Sequence, residues 1–168
     1  MLHRFLRLPF SLVLVMSGFL ATALGGAQPV AASGTTIVNV AAHKCLDLAV
    51  NSPTNGVQVQ IDTCNGSPTQ FWSFIRLGNG SFLILNEQSG KCLTVLANSP
   101  LQNAAVVQGT CNPSGSDPFE DWRQVPSTPP FTLTNLGDGL MMEPLGCRTA
   151  SGTRVVVASA LCAERFWS

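Results

Sequence analysis

The stretch KCLDLAVNSPTNGVQVQIDTCNGSPTQFWSFI, residues 44–75, sets the pattern for the whole chain. It contains two cysteines nineteen residues apart, an alternating apolar run before the second cysteine, and a terminal Gln-Phe-Trp. A second version follows at 91–125, KCLTVLANSPLQNAAVVQGTCNPSGSDPFEDWRQV, with the same nineteen-residue step from Cys92 to Cys111. Repetition at a fixed period indicates several incomplete units that share one core.

A third and fainter version, GLMMEPLGCRTASGTRVVVASALCAERFWS, occupies residues 139–168, with Met141 in place of the first cysteine. The only three tryptophans in the chain, Trp72, Trp122 and Trp167, close the three versions. Their recurrence predicts that they pack in a common core and do not form a ligand platform. We expect the repeats at about 35–77, 78–126 and 127–168.

The first 32 residues differ in composition from the repeats. Arg4 and Arg7 precede an almost wholly apolar segment at 8–24, and small residues follow at Val30-Ala31-Ala32. This pattern predicts a signal peptide over residues 1–32, cut near Ala32, and therefore a secreted, extracellular protein. An uncleaved membrane anchor is the alternative, because the apolar segment is at the lower limit of spanning length.

The remaining residues, 33–168, have a length that suits a single domain. Without Arg4 and Arg7 they carry seven basic and nine acidic side chains, a net charge of −2. The basic residues form no cluster, so nucleic acid and, once the leader is removed, a membrane are not expected as partners.

All six cysteines lie in the part predicted to be exported, which favours disulfides. Six cysteines allow fifteen pairings, and the repeat selects one. The predicted bridges are Cys45–Cys64, Cys92–Cys111 and Cys147–Cys162. The cysteines occur singly, not in Cys-x-x-Cys pairs, and His43 is the only histidine outside the leader, so neither a metal nor a cofactor is expected.

Short runs rich in β-branched residues alternate with Gly, Pro, Asn and Ser turns throughout residues 33–168, and no sustained helical period interrupts them. An all-β fold with four strands per repeat follows. The predicted strands are 36–40, 45–49, 57–62, 71–76, 81–86, 92–96, 105–109, 121–125, 131–135, 140–143 and 153–158.

Three motifs of the first repeat resemble the ricin B-type lectin repeat, whose hallmark is Gln-x-Trp. They are Cys-Leu-Asp at 45–47, Val-Gln-Ile-Asp-Thr-Cys-Asn at 59–65 and Gln-Phe-Trp at 70–72. The resemblance extends over residues 35–168. It implies a β-trefoil of three repeats stapled by disulfides, which binds sugars in shallow pockets, at most one per repeat.

The resemblance also implies a site in the first repeat. Asp47 would accept paired hydrogen bonds from adjacent sugar hydroxyls, because a charged acceptor makes a strong polar contact; a carboxylate that simply faces solvent is the alternative. Gln70 could tie the loop to the backbone, contact the sugar, or do both. The remaining wall of this carbohydrate-binding site would be Gln60, Asp62, Asn65 and Thr69.

Two positions depart from the family pattern: Asp62 stands where binding members carry an aromatic residue, and Thr69 stands where they often carry Asn. The lost aromatic contact weakens binding by roughly 1.5 to 2 kcal/mol, which takes a millimolar site to tens of millimolar unless a loop such as 112–120 supplies a substitute. No site is expected in the other repeats. The residues at their corresponding positions are Thr94, Val107, Gly109 and Glu120 in the second repeat, and Glu143, Val156, Ala158 and Arg165 in the third.

We therefore expect a secreted lectin-like protein with at most one weak sugar site, in the first repeat, for galactoside or xylan-type glycans. The alternative is a non-lectin β-trefoil scaffold that binds or inhibits a protein partner through loops such as 98–105 and 112–120. An enzyme is not expected. No Ser-His-Asp or Cys-His set is available, and the acidic residues at 117, 120 and 121 lie in a Pro/Gly/Ser-rich stretch typical of a solvated loop.

Overall fold

The computed structural model describes residues 34–159 and 162–168. The predicted signal peptide, with its cleavage site, lies outside the described residues. Within them, no helix is long and apolar enough to cross a membrane.

Eleven strands form in the described part of the chain, and each overlaps one predicted from the sequence, with ends that differ by at most two residues. The all-β prediction is thereby confirmed. The helical elements described are short 3-10 turns at Pro68–Gln70, Leu96–Asn98, Leu145–Cys147 and Ala163–Arg165. The strands are β1 (Val38–Asn39), β2 (Lys44–Leu48), β3 (Val59–Asp62), β4 (Trp72–Arg76), β5 (Phe82–Asn86), β6 (Cys92–Val95), β7 (Ala104–Gly109), β8 (Trp122–Val125), β9 (Thr132–Asn135), β10 (Met141–Pro144) and β11 (Thr153–Ala158).

The predicted count of four strands per repeat holds for the first two repeats, and the third has three. At the place of the twelfth strand, Trp167 makes isolated antiparallel bridges to Asn39 and Phe131. The backbones of Val38 and Ser168 exchange two hydrogen bonds of 2.8 Å. The last residues of the third repeat are therefore joined to β1 of the first.

The three tryptophans occupy equivalent places, as predicted. Each tryptophan is fully buried. Each indole Nε1–H donates to the backbone carbonyl of the residue that follows the first cysteine of its repeat, or that follows Met141 in the third repeat. These bonds measure 3.0 to 3.1 Å. The three predicted disulfides, Cys45–Cys64, Cys92–Cys111 and Cys147–Cys162, are also present.

A buried asparagine recurs six residues before the first cysteine of each repeat, or Met141 in the third, at Asn39, Asn86 and Asn135. Each Oδ1 accepts a backbone N–H from the turn that follows. Each Nδ2 donates to a backbone carbonyl of the repeat before it in the ring, where the third repeat precedes the first. The carbonyl belongs to the residue three positions before the tryptophan of that repeat. The asparagines thus join neighbouring repeats, a role that the sequence reading misses.

The middle strands β3, β7 and β11 meet at the centre of the fold. β11 pairs with both β3 and β7, and a bridge from Gln58 to Val107 joins the third side. The Gln58 amide Nε2 lies 2.7, 2.9 and 3.1 Å from the carbonyl oxygens of Val59, Val106 and Val155. These valines are equivalent in the three repeats, so this nitrogen lies close to the pseudo-three-fold axis.

Candidate functional site

Asp47 lies in the middle of β2. Its neighbours Leu46 and Leu48 point into the core, so Asp47 lies on the opposite face of the strand. The turn Pro68–Gln70 packs against β2, and Asp47 is only 7% exposed. A carboxylate that simply faces solvent, the alternative left open by the sequence, is therefore wrong.

Gln70 ties this loop together from a fully buried position. Its Oε1 accepts the backbone N–H of Asn65 at 3.0 Å, and its Nε2 donates to the Thr63 carbonyl at 2.9 Å and to Asp47 Oδ2 at 3.1 Å. Every hydrogen of the amide is thus used inside the protein. Of the two roles predicted for Gln70, the structure shows the loop tie, made by a fully buried side chain. Its contact with a sugar stays a prediction.

The second oxygen of Asp47, Oδ1, is buried and has no hydrogen-bond partner among the described residues. A buried acceptor without a donor costs about 1 to 3 kcal/mol, and a charged one costs more. A hydroxyl from a ligand or from water would remove that cost. Asp47 is therefore a fixed carboxylate with one oxygen held by Gln70 and the other free to accept.

The other predicted wall residues differ in their availability. Gln60 and Asp62 are half-buried, and their side chains make a long hydrogen bond of 3.4 Å. Asn65 is exposed, and its Oδ1 accepts the Ser67 N–H. Thr69 is buried and pairs its hydroxyl with that of Ser67, so it belongs to the loop interior.

Three strands place polar residues in a row beside this site. Asp47 is directly opposite Gln60, and Gln60 is directly opposite Arg154 on β11. Residues opposed in antiparallel pairs share a face of the sheet. Arg154, which comes from the third repeat, therefore extends the outer face of the first repeat, a contribution that the sequence reading misses.

The equivalent rows of the other repeats are less polar. The row of the second repeat is Thr94, Val107 and Gln58. The row of the third repeat is Glu143, Val156 and Ala105. Apolar residues occupy the central position of both, so of the three rows only that of the first repeat is polar throughout.

In the second repeat, Glu120 takes the place of Gln70. One oxygen of its buried carboxylate accepts the backbone N–H of Asn112 at 2.8 Å, just as Gln70 accepts that of Asn65. Burial raises the pKa of Glu120, and the charges of Asp117 and Asp121 raise it further against the opposing effect of the Asn112 hydrogen bond. Glu120 is therefore a loop tie.

The third repeat keeps a carboxylate, Glu143, which is 5% exposed and has an unpartnered Oε2. Burial raises its pKa, although the positive charge of Arg165 opposes the shift. A cavity of about 230 Å³ adjoins it, and Gln102 and Asn103 of the second repeat line the same cavity. The amides beside Glu143 thus come from another repeat.

Arg165 ties the third loop differently from Gln70. Its guanidinium donates to the Cys162 carbonyl at 2.6 Å and stacks on Phe166, with 4.6 Å from Cζ to the ring centroid. The sulfur of Cys162 lies 3.5 Å from Glu143 Oε1, but this sulfur is in a disulfide and has no hydrogen to donate.

Cys147, Cys162 and Glu164 lie close enough together to suggest a metal site, but the two sulfurs are bonded to each other. Only the carboxylate of this group could bind a metal.

The loop 112–120 lies over the second repeat. A side chain at Gly115 would contact Leu77, and the neighbouring Asp121 accepts a hydrogen bond of 3.0 Å from Asn79. The expectation of solvated acidic residues here is wrong for Glu120 and Asp121, which are both buried.

Comparison with known proteins identifies the family. The model of the ricin-type β-trefoil lectin domain-like family matches residues 24–109 and 68–158, which together make up most of the chain. None of the curated protein sequences compared with the chain matches it.

Solved structures show the same fold. A designed three-fold symmetric protein, ThreeFoil, is 24% identical with a TM-score of 0.73 over 79% of this chain and 94% of its own. The exo-β-1,3-galactanase 1,3Gal43A from Clostridium thermocellum is 23% identical with a TM-score of 0.74, over 81% of this chain but only 30% of that enzyme. The C-terminal half of the earthworm R-type lectin, solved with GalNAc, is 12% identical with a TM-score of 0.60 over 79% of this chain and 94% of its own.

Both the β-trefoil fold and the family resemblance of the first repeat are confirmed. From its three-fold arrangement of tryptophans and disulfides and from the match over most of its length, the chain belongs to the ricin-type β-trefoil lectin domain-like family.

Proposed function

We propose that this lectin-type domain is a secreted protein that binds carbohydrate weakly at one site, in the first repeat. The observation that carries the proposal is the unpaired Oδ1 of Asp47, a buried acceptor on the outer face of β2. Gln70 holds the other oxygen, so the carboxylate is fixed before a ligand arrives. Such preorganisation lowers the entropy cost of binding.

Sugar hydroxyls are the donors that suit this site. A carboxylate accepts hydrogen bonds from two adjacent hydroxyls, and these charge-assisted bonds are about twice as strong as neutral ones. The side-chain amide of Gln60, next in the row, offers a donor and an acceptor to a third hydroxyl. Asp62 stands where binding members of the family carry an aromatic residue, and we therefore expect a dissociation constant in the millimolar range or above, about −4 kcal/mol or weaker.

Galactosides are the ligand class that we propose first. The earthworm R-type lectin half was solved with GalNAc, and the Clostridium enzyme is a β-1,3-galactanase. Both proteins resemble this chain in fold, and the proposal carries the galactose-type ligand over to Asp47. Xylan-type glycans are the second ligand to be tried, and no enzymatic activity is proposed.

The test uses a matched pair of isosteric variants, Asp47→Asn and Glu143→Gln. Each removes one buried carboxylate with an unpaired oxygen, one in the first repeat and one in the third. Binding to galactosides and xylan oligosaccharides is measured by NMR titration, which detects millimolar affinities. We expect Asp47→Asn to abolish binding and Glu143→Gln to leave it unchanged; the reverse result would move the site to the cavity beside Glu143.

Export is proposed from the apolar leader alone. The mass of the protein recovered from the medium of the producing cell gives the cleavage point, which we expect near Ala32. Recovery of the uncleaved chain in the membrane fraction would instead support an anchor.

One observation favours the scaffold alternative. Leu96 and Leu101, on either side of the turn after β6, are 48% and 69% exposed. Two large apolar side chains near one another in a loop suit a protein contact. If the wild-type protein binds no saccharide, this loop becomes the first place to seek a partner, with Leu101→Ser as the variant that should weaken the interaction.

A further inference from the structure

A cavity of about 440 Å³ lies beside the first-repeat site, at the start of β11. Its volume falls in the range of small-molecule pockets in proteins. The lining includes two arginines, two hydroxyl residues and two apolar side chains: Arg148, Arg154, Ser151, Thr153, Leu145 and Ala150.

The walls of this cavity are held against the first repeat. The hydroxyls of Ser151 and Thr63 lie 3.1 Å apart, and the Gly152 N–H donates to the Ile61 carbonyl at 2.9 Å. The Thr153 hydroxyl donates to the Ala150 carbonyl at 2.7 Å. The loop from the third repeat is therefore fixed on the edge of β3, next to the polar row.

Arg154 belongs both to the polar row formed by Asp47, Gln60 and Arg154 and to the lining of the cavity. Two strand spacings separate this residue from Asp47, a distance of about 10 Å between Cα atoms. An oligosaccharide that places one residue on Asp47 reaches the arginines with its neighbouring residue. The cavity is then the continuation of the same binding surface.

We infer that the first-repeat site takes an anionic saccharide, with hydroxyls of one residue on Asp47 and a carboxylate or sulfate of the adjoining residue between Arg148 and Arg154. A guanidinium presents paired N–H donors that match the oxygens of such groups, and it keeps its charge at every physiological pH. This inference rests on the proposed function and names its ligand class.

Asp62 is the nearby charge that opposes an anion. Its Oδ1 accepts the Thr63 N–H at 2.6 Å and its Oδ2 accepts the Gln60 amide at 3.4 Å, so both oxygens already have donors. Arg148 and Arg154 are both exposed, and their side chains are accessible to a ligand. At the cavity the two guanidinium groups outweigh the engaged carboxylate of Asp62, while Asp47 is about 10 Å from Arg154 between Cα atoms and the domain as a whole is predicted to carry a net negative charge.

The experiment compares three trisaccharides on the exported protein: neutral galactotriose, trigalacturonic acid, and a sulfated galactotriose. The variants are Arg148→Gln/Arg154→Gln and a control, Arg123→Gln, which removes an exposed arginine from β8. We expect wild type and the control to bind the charged trisaccharides about tenfold more tightly than the neutral one at low salt, with a smaller advantage in 0.5 M salt. In the double variant the advantage should disappear.

The inference is overturned if wild type binds charged and neutral sugars with equal affinity, or if the double variant still binds the charged sugars more tightly. Either result leaves the proposed function intact. Failure of all three sugars to bind would refute the inference and the galactoside ligand of the proposed function. A preference for only one of the charged sugars would tell a carboxylate ligand from a sulfate ligand. The Asp47→Asn variant should bind none of the three sugars, since the anion subsite adds affinity only to a sugar that the hydroxyl subsite already holds.

Discussion

The first and third repeats have the same arrangement of paired strands but differ in the side chains on their outer faces. Both have a buried carboxylate with an unpartnered oxygen, Oδ1 of Asp47 in β2 and Oε2 of Glu143 in β10. In the first repeat a neutral amide, Gln70, holds that carboxylate, whereas in the third a guanidinium, Arg165, lies nearby and bonds the backbone. The next position across the sheet is polar in one repeat and valine in the other.

The difference shows which residues the fold requires. The core tryptophans, the asparagine turns and the middle valines recur because each repeat must pack against the other two. The outer row is less constrained by that demand, since its residues other than Gln58 contact loops and solvent. We therefore expect differences in ligand binding between the repeats to come from this row.

The largest expected effect comes from the loop ties. Gln70→Ala leaves the Asn65 N–H, the Thr63 carbonyl and one Asp47 oxygen without their partner, and we expect the free energy of unfolding to fall by about 3 kcal/mol. Arg165→Ala removes one hydrogen bond from a half-buried site and should cost about 1 kcal/mol. Urea unfolding measures both, and equal losses would mean that the two ties are equivalent.

A second variant makes the first repeat resemble the other two. Gln60→Val installs the residue found at Val107 and Val156, and valine is favoured in strands. Stability should be unchanged or slightly higher, while saccharide affinity should fall about tenfold, or 1.4 kcal/mol, for the loss of one good hydrogen bond. If NMR titration finds wild-type affinity in this variant, the polar row has no part in binding.

The carboxylate of the third repeat predicts a pH dependence. The raised pKa of Glu143 means that the folded protein holds this proton more tightly than the unfolded chain does. The stability that it contributes is present below its ordinary value of 4.5 and is lost as the pH rises through the raised value. The melting temperature of wild type should therefore decrease as the pH rises above 4.5, and Glu143→Gln should reduce that decrease. Glu120→Gln should act in the same direction, and a wild-type slope in both variants would contradict the assignment.

The smallest expected effect concerns a turn. His43 has a φ of 53°, where the same position in the other repeats is Gly90 at 67° and Gly139 at 71°. A side chain in the left-handed region costs about 1 to 2 kcal/mol, and glycine gives back much of that through its unfolded-state freedom. We expect His43→Gly to raise the free energy of unfolding by about 0.5 kcal/mol. A decrease in urea unfolding would show that the imidazole makes a compensating contact.

The sequence allows the strands and the first two disulfides to be predicted because their residues recur at a constant spacing, and Cys147–Cys162 is then the pair that remains. The asparagine turns recur at the same spacing, six residues before Cys45, Cys92 and Met141, and an alignment of the three repeats by that rule finds them. Arg154 is harder to place, because its neighbour Gln60 lies in another repeat and the pairing of β3 with β11 is known only from the folded chain. The burial of Asp47 is likewise a consequence of the Pro68–Gln70 turn, whose path no local pattern indicates.

The place of Gln58 gives the first repeat of this chain a role that the other two do not share. A symmetry axis passes through a single line in space, so only one side chain can put its nitrogen there, and the chain has Ala105 and Arg154 at the two corresponding positions. Three identical repeats would offer either three amides competing for one point or none at all. In this chain one amide therefore serves three equivalent carbonyls, and the even bonding of the three middle strands comes from an unequal sequence.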